Sequence, residues 1–291
     1  MRLALAQLRL GGTPAENLEA SLAAVARAAR ARADLALFPE AQLTPFFAQY
    51  RRAELRRSPL RLHPDRIAVR EDGPEIAALR RSARDHRLWI APNAYLDRDD
   101  GLRADATLLV APTGSVVGRA EMVHVANLPG FWEEDWYAPA RDGFRVFDTP
   151  FGRLGVVICF DRHFPESFRE VALAGADLAL VPAANRFDEP FELFEAELRA
   201  AAFQNGLFVA MCNRTGADGD TFFGGRSIVV GPGGEVLLRA GPGEEMPVLD
   251  LDLGLAAAAR RRRPYVALAR RRRDALARGL PAAARPPEYE I

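Results

Sequence analysis

The sequence predicts an α/β protein with mixed sheets. Three observations indicate this fold class. Apolar runs of strand length alternate with longer segments of helical period, two strand–helix–strand units have almost wholly apolar strands, and short turns join other strands directly. Apolar strands joined through helices favour parallel pairing with both faces covered, and strands joined by short turns favour antiparallel pairing. Residues 1–253 contain no segment typical of a linker, so we expect them to form one domain.

The predicted helices begin at recognisable start signals. The first follows Thr13, a typical N-cap residue, and has Pro14 at its first position and apolar residues along one face. Further helices are predicted near 74–87, from Pro165 onward and over 189–206.

The predicted strands are short apolar runs that end at proline, glycine or charged residues. They cover residues 2–8, 34–40, 88–96, 104–112, 115–123, 153–160, 177–185, 207–213 and 246–253. The turn Thr113-Gly114 joins two of them, and 222–240 is predicted as a hairpin through Pro232, Gly233 and Gly234.

Composition argues against several classes of function. The 39 basic residues balance the 39 acidic ones, so global charge gives no reason to expect a nucleic-acid or membrane partner. Charged residues interrupt the N-terminal apolar stretch, and no apolar run has the length of a membrane span. The two cysteines and four histidines lack the spacing of a disulfide framework or a metal site. We therefore expect a cytoplasmic protein with free thiols and no metal or other cofactor.

Residues 254–291 form an arginine-rich C-terminal extension with ten arginines and three acidic residues, including four arginines in a row at 260–263 and again at 270–273. One interpretation is a nucleic-acid patch, and the other is a solvated, partly helical arm at a subunit interface. The lack of interleaved aromatic residues for stacking and the zero net charge of the chain favour the arm.

Three predicted strands end next to a residue that could take part in chemistry: Glu40, Cys159 and Asn185. Active sites of α/β sheets gather at the carboxyl ends of strands. A cysteine with a neighbouring carboxylate is a workable nucleophile and base, because the carboxylate can accept the thiol proton. Each residue also has an ordinary alternative, since a cysteine at a strand end is often a small buried apolar residue and a glutamate after proline is often a loop residue.

Four segments occur in an order and spacing that resemble the nitrilase superfamily of carbon–nitrogen hydrolases. They are "FPE" after the second strand, "GVVICFDRHFPE", "NGLFVAMCNRTG" and "FGGRSIVVGPGGEVL". The resemblance implies a four-layer αββα sandwich, a homodimer or larger assembly, and cysteine-dependent hydrolysis of a small molecule. The "FDR" after the cysteine resembles the amidase and N-carbamoyl amide hydrolase branch, which implies an amide or carbamoyl substrate rather than a nitrile.

The resemblance also implies roles for individual residues. Glu40 matches the general base, Cys159 the nucleophile, and the N–H of Phe160 part of the oxyanion hole. The loop "LPGFWEED" resembles the one that holds a second glutamate, which falls on Glu133. Trp132 in the same loop either lines the pocket or serves in packing.

Beyond the matched motifs, Asn185 is a further candidate for substrate binding. For Asp161 and Arg162 we expect a structural charge pair rather than contact with the substrate.

One position departs from the family pattern. The family has a catalytic lysine in a pattern like Arg-Lys-x-His, and alignment on His124 places Met122 at the lysine position. The chain contains no lysine at all, and Arg119 would start from the opposite face of the strand. Three explanations stay open: a hydrolase with altered electrostatics, an inactive member that binds a small ligand or a partner, or a lysine replaced deliberately to trap a complex.

Overall fold

The computed structural model describes residues 1–60, 62–63 and 66–278, so residues 279–291 of the C-terminal extension lie outside it. Six α-helices occur in the described part: α1 (Pro14–Arg30), α2 (Pro74–His86), α3 (Pro165–Leu173), α4 (Phe191–Asn205), α5 (Gly254–Arg262) and α6 (Tyr265–Arg278). No helix in these described ranges combines the length and apolarity needed to cross a bilayer.

The strands of the described residues are short. In chain order they are β1 (Arg2–Leu5), β2 (Leu35–Leu37), β3 (Trp89–Ala91), β4 (Asn93–Asp97), β5 (Arg103–Val110), β6 (Val116–Glu121), β7 (Asn127–Leu128), β8 (Phe131–Trp132), β9 (Val146–Thr149), β10 (Gly152–Val156), β11 (Leu178–Ala183), β12 (Phe208–Asn213), β13 (Thr215–Asp218), β14 (Thr221–Gly224), β15 (Ile228–Val230), β16 (Val236–Arg239) and β17 (Val248–Asp250).

Two mixed sheets form the centre of the molecule. The first has the order β17-β1-β2-β3-β5-β4, with β6 paired to β5, and the second has the order β16-β15-β12-β11-β10-β9. Strands joined through helices are parallel (β1 with β2, β2 with β3, β10 with β11 and β11 with β12), and the other pairs are antiparallel. The predicted division into parallel and antiparallel parts is thus confirmed.

The layers follow from which strand faces are apolar. One core cluster joins the outer face of the first sheet to α1 and α2, and includes Ala4, Val25 and Leu79. A larger cluster takes in side chains of both sheets together with α3 and α4, including Leu5 and Leu180. Helices therefore cover the two sheets on their outer sides, which gives the predicted αββα arrangement.

Local signals placed most elements correctly. Thr13 caps α1 in a capping box, in which its hydroxyl accepts from the Glu16 N–H and the Glu16 carboxylate accepts from the Thr13 N–H. The predicted strand 88–96 is divided at Pro92 into β3 and β4, because proline has no N–H to donate to a ladder. Only the second part of segment 222–240 is the predicted hairpin of β15 and β16. Its first part, β14, pairs with β13.

The described part of the arginine-rich extension packs on its own chain. Ala256 of α5 is fully buried, and Arg260 donates to the carbonyl oxygen of Ala176 at 2.8 Å and pairs with Asp177 at 2.5 Å. Arg273 of α6 pairs with Glu170 of α3. Each of these arginines thus finds a partner on α3 or on the loops beside it.

Candidate active site

Cys159 lies just beyond the carboxyl end of β10, at the first residue of a 3₁₀ turn that spans Cys159–His163. Its φ of 39° is in the left-handed region, which a residue with a Cβ rarely adopts. Such strain persists only where surrounding structure holds it, and it clusters at functional sites. The residue is 5% exposed, so the turn presents a nearly buried thiol at the end of the strand.

Glu40 reaches the same place from the first sheet. It follows β2 after Pro39, and its N–H donates to the carbonyl oxygen of Ala183 at the end of β11 in the second sheet. The next residue, Ala41, has a φ of 50° and donates its N–H to Asn93 Oδ1 at 2.7 Å. These bonds fix the chain on both sides of a fully buried carboxyl group.

Buried carboxyl oxygens outnumber the donors in this site. The Glu40 carboxyl lies close enough to the Asp105 carboxyl and the Cys159 thiol for it and each of these groups to shift one another's pKa. Within the described ranges, no N–H group donates to either oxygen of Glu40, to Asp105 Oδ2 or to Glu133 Oε1. Burial first, and then the negative charges of Asp105 and Glu133, raise the pKa of Glu40 well above its ordinary value.

Glu133 completes this group of acids. It begins a short 3₁₀ turn in the predicted loop, is fully buried, and accepts a hydrogen bond from the Ala126 N–H at 3.1 Å through Oε2. Burial raises its pKa to about 8. The pKa of Asp105 is raised to about 6, again mainly by burial, although Asn93 Nδ2 donates to its Oδ1 at 2.5 Å. The site therefore holds three buried acids whose pKa values are all raised.

Met122 lies beside this group. The residue directly follows β6, and its N–H donates to the carbonyl oxygen of Asp105 on β5 at 2.9 Å. Its side chain is 1% exposed and belongs to the same core cluster as Cys159. Arg119 points away from that cluster and pairs with Glu71 and Glu121. Met122 therefore lies opposite Asp105 across the strand pair, and Arg119 supplies no cation there.

Arg162 is a cation in direct contact with the nucleophile. Its Nη1 donates to the Cys159 carbonyl oxygen at 2.9 Å and lies 3.7 Å from Cys159 Sγ. The guanidinium also stacks on Phe194, with 4.4 Å between its carbon and the ring centre. The predicted charge pair with Asp161 is wrong. Asp161 instead accepts hydrogen bonds from the N–H groups of Val123 and His124 and from the His124 ring, because the 3₁₀ turn points the two side chains to different partners.

The remaining predicted residues lie around this centre. Phe160 is the second residue of the 3₁₀ turn, where N–H groups have no acceptor within the turn. Trp132 ends β8, is half-buried, and carries the Arg51 guanidinium 3.6 Å above its ring. Asn185 is buried after β11, donates its N–H to Asn213 Oδ1 at 2.7 Å, and directs Nδ2 at the sulphur of Met211.

The two thiols lie in different surroundings. Burial and the charge of Glu40 raise the pKa of Cys159 well above its ordinary value, whereas the positive charge of Arg162 lowers it. A base that takes the Cys159 proton would therefore assist attack by its sulphur. Cys212 lies inside β12, is fully buried, and has a pKa raised by burial with no carboxylate beside it.

Comparison with known proteins agrees with this geometry. A family model described as carbon–nitrogen hydrolase matches residues 2–261. The chain belongs to the carbon–nitrogen hydrolase family. Omega-amidase NIT2 of Mus musculus is 28% identical over 271 residues, which cover 91% of this chain and 93% of that protein.

Two solved structures of carbon–nitrogen hydrolases resemble the fold. One from Helicobacter pylori superposes with a TM-score of 0.84 at 24% identity, over 95% of this chain and 98% of that one. A variant of the amidase from Nesterenkonia sp. AN1 superposes with a TM-score of 0.80 at 27% identity, over 96% and 97% of the two chains. That structure shows the acetamide moiety of fluoroacetamide covalently added at the active-site cysteine.

Sequence reasoning missed two residues of this site. Asp105 lies near the start of β5, between two alanines, and a lone acid at a buried strand position was the signal that could have drawn attention to it. Arg162 was considered only as a partner of Asp161. Its position three residues after the cysteine, one turn along a tight helix, was a signal that its side chain could return to Cys159.

Proposed function

We propose that this chain hydrolyses a small primary amide or N-carbamoyl compound, with Cys159 as nucleophile and Glu40 as general base. The observation that carries the proposal is a strained, nearly buried cysteine beside a buried carboxyl group that comes from the opposite sheet. The omega-amidase and amidase relatives support an amide substrate.

The geometry supports a double-displacement reaction. Glu40 accepts the Cys159 proton as sulphur attacks the carbonyl carbon, and returns it to the leaving nitrogen, which departs as ammonia or an amine. Water then attacks the thioester, again with Glu40 as base, and releases the acid and the thiol. In this proposal the N–H of Phe160, the second residue of the 3₁₀ turn, donates to the oxyanion. Glu133 supports the loop at Ala126 and adds to the charge near Glu40.

The test is ammonia release from a panel of primary amides and N-carbamoyl compounds. We expect turnover that Cys159→Ala abolishes and that Glu40→Gln lowers by about 10²–10⁴-fold, in the range expected for loss of a general base. Cys212→Ala is the matched control, since Cys212 lies inside β12, where its thiol interacts with Ser227. Full activity in Cys159→Ala would refute the proposal.

We also propose that the protein forms a homodimer or larger assembly and functions in the cytoplasm. The assembly is supported by apolar side chains that are exposed to solvent on α4 and α6. They are Leu193, Leu268 and Phe203, which are 63%, 51% and 39% exposed. Two free thiols fit a reducing compartment. Light scattering at micromolar concentration gives the mass directly, and a particle of 31.9 kDa would refute the assembly.

A further inference from the structure

The active site contains more buried acids than its cations can balance. Glu40, Asp105 and Glu133 are all at most 2% exposed, and four of their oxygens receive no N–H donor from the described residues. Buried carboxyl oxygens without donors are costly, so such oxygens mark places where a ligand or a proton must supply the hydrogen bond.

The nearby cations are already engaged. Arg162 is held by the Cys159 carbonyl oxygen and the Phe194 ring. Arg214 is fully buried, and it pairs with Asp218 and donates to the Leu10 carbonyl oxygen at 2.8 Å. With no lysine in the chain and a thioether at Met122, no flexible ammonium can reach these oxygens.

This excess of buried acids over free cations disfavours attack on a neutral substrate. When a thiolate attacks an amide, negative charge develops on oxygen next to three acids. Among the described residues, the arginines beside this site, Arg162 and Arg214, are already held by other partners. When it attacks a carbon that already carries positive charge, the addition product is neutral. A planar amidinium or guanidinium also offers a fork of N–H donors that matches carboxylates.

We propose that this site also hydrolyses amidines or guanidines, which are cationic at the reacting carbon, and prefers them to neutral amides and ureas. The inference rests on the proposed roles of Cys159 and Glu40. The substrate itself supplies the positive charge and the N–H donors that the protein lacks.

The reaction balances with water as the only co-reactant. Glu40 takes the Cys159 proton, the C–S bond forms, and the C=N pair moves onto nitrogen to give a neutral tetrahedral adduct. Glu40 returns the proton to one nitrogen, which leaves as ammonia while the other nitrogen forms C=N⁺ to the carbon. Water adds with its proton going to Glu40, the C–S bond breaks, and the thiolate takes the hydroxyl proton. Glu40 then protonates the ammonia. The products are an amide or urea and ammonium.

Matched substrate pairs test the preference. Acetamidine is compared with acetamide, 3-guanidinopropionate with 3-ureidopropionate, and agmatine with N-carbamoylputrescine, by initial rates of ammonia release. We expect kcat/KM of the wild-type protein to be at least about 10-fold higher for the cationic member of each pair. Met122→Lys should reverse this preference. It should raise kcat/KM for the neutral member of each pair by roughly 10²-fold, in line with one added oxyanion stabiliser. Met122→Leu, the matched control, should keep the wild-type order.

A second measurement needs no variant. Acetamidine should protect Cys159 of the wild-type protein from iodoacetamide at a concentration at least about 10-fold lower than acetamide does. Faster turnover of the neutral members, or equal protection by the two compounds, would overturn this inference and leave the proposed function intact. Absence of turnover for every pair in both the wild type and Met122→Lys, with Cys159 unreactive, would overturn the proposed function itself.

Discussion

Met122 donates its N–H to the carbonyl oxygen of Asp105 at 2.9 Å, so the residue directly after β6 lies opposite a buried acid of β5 at the candidate active site. The charge of the Asp105 carboxyl in turn raises the pKa of Glu40. The charge near the proposed base is therefore set by a second acid rather than by a lysine. This arrangement has measurable consequences for pH dependence and stability.

Asp105→Asn should move the rising limb of the pH–kcat/KM profile to lower pH. The negative charge of Asp105 raises the pKa of Glu40, and the substitution removes that charge. The new amide N–H could donate to the Glu40 carboxylate, and its Oδ1 would still accept the hydrogen bond from Asn93. The profile is measured on the best substrate of the panel. Asp97→Asn, near the end of β4 and paired with Arg103, is the matched control and should leave the limb in place. A limb that moves to higher pH in Asp105→Asn would contradict this assignment.

Glu133→Gln should stabilise the protein increasingly as pH rises from about 5 to 8. Burial raises the pKa of Glu133 from its ordinary 4.5 to about 8 in the folded state. Below pH 4.5 the Glu133 carboxyl is protonated in both the folded and the unfolded state. Between these two pKa values Glu133 is ionised only in the unfolded state, so the free energy of unfolding of the wild type falls as pH rises. The glutamine keeps an oxygen for the Ala126 N–H.

The gain of Glu133→Gln at pH 8 relative to pH 5 should be on the order of 2 kcal/mol, since the shift is large but shared among coupled acids. Denaturant unfolding at several pH values measures it. Glu134→Gln is the matched control. Glu134 is the next residue along the chain and is exposed, so its replacement should give no gain in stability that grows with pH. A constant difference between wild type and Glu133→Gln across this pH range would disprove the assignment.

Arg162→Met should shift alkylation of Cys159 to higher pH. The guanidinium lowers the pKa of the thiol from 3.7 Å away, and its removal leaves the opposing charges of Glu40 and Glu133. The rate of iodoacetamide labelling as a function of pH measures the change without any need for turnover. Arg162→Lys keeps the charge and should shift the profile less than Arg162→Met does. Superimposable profiles for all three proteins would show that Arg162 acts only in packing.

Apolar periodicity was sufficient to predict the mixed sheets and the buried strands that end near Glu40 and Cys159. The four layers and Glu133 came from the family resemblance instead. The sequence was insufficient for Asp105 and Arg162, because their importance depends on which side chain faces which across the two sheets. The pairing of β13 with β14 could not be predicted from the sequence either, since both short strands are bounded by residues that are common in any turn.

The central claim is that Cys159, activated by Glu40, is the nucleophile. Fluoroacetamide tests it most directly, since this weak electrophile needs an activated thiol and the chain has only two cysteines. Intact-mass measurement and peptide mapping of the folded wild-type protein should show one adduct, on the peptide that contains Cys159, and it should form more slowly in Glu40→Gln. An adduct on Cys212, or labelling of neither thiol until the protein is denatured, would contradict the claim.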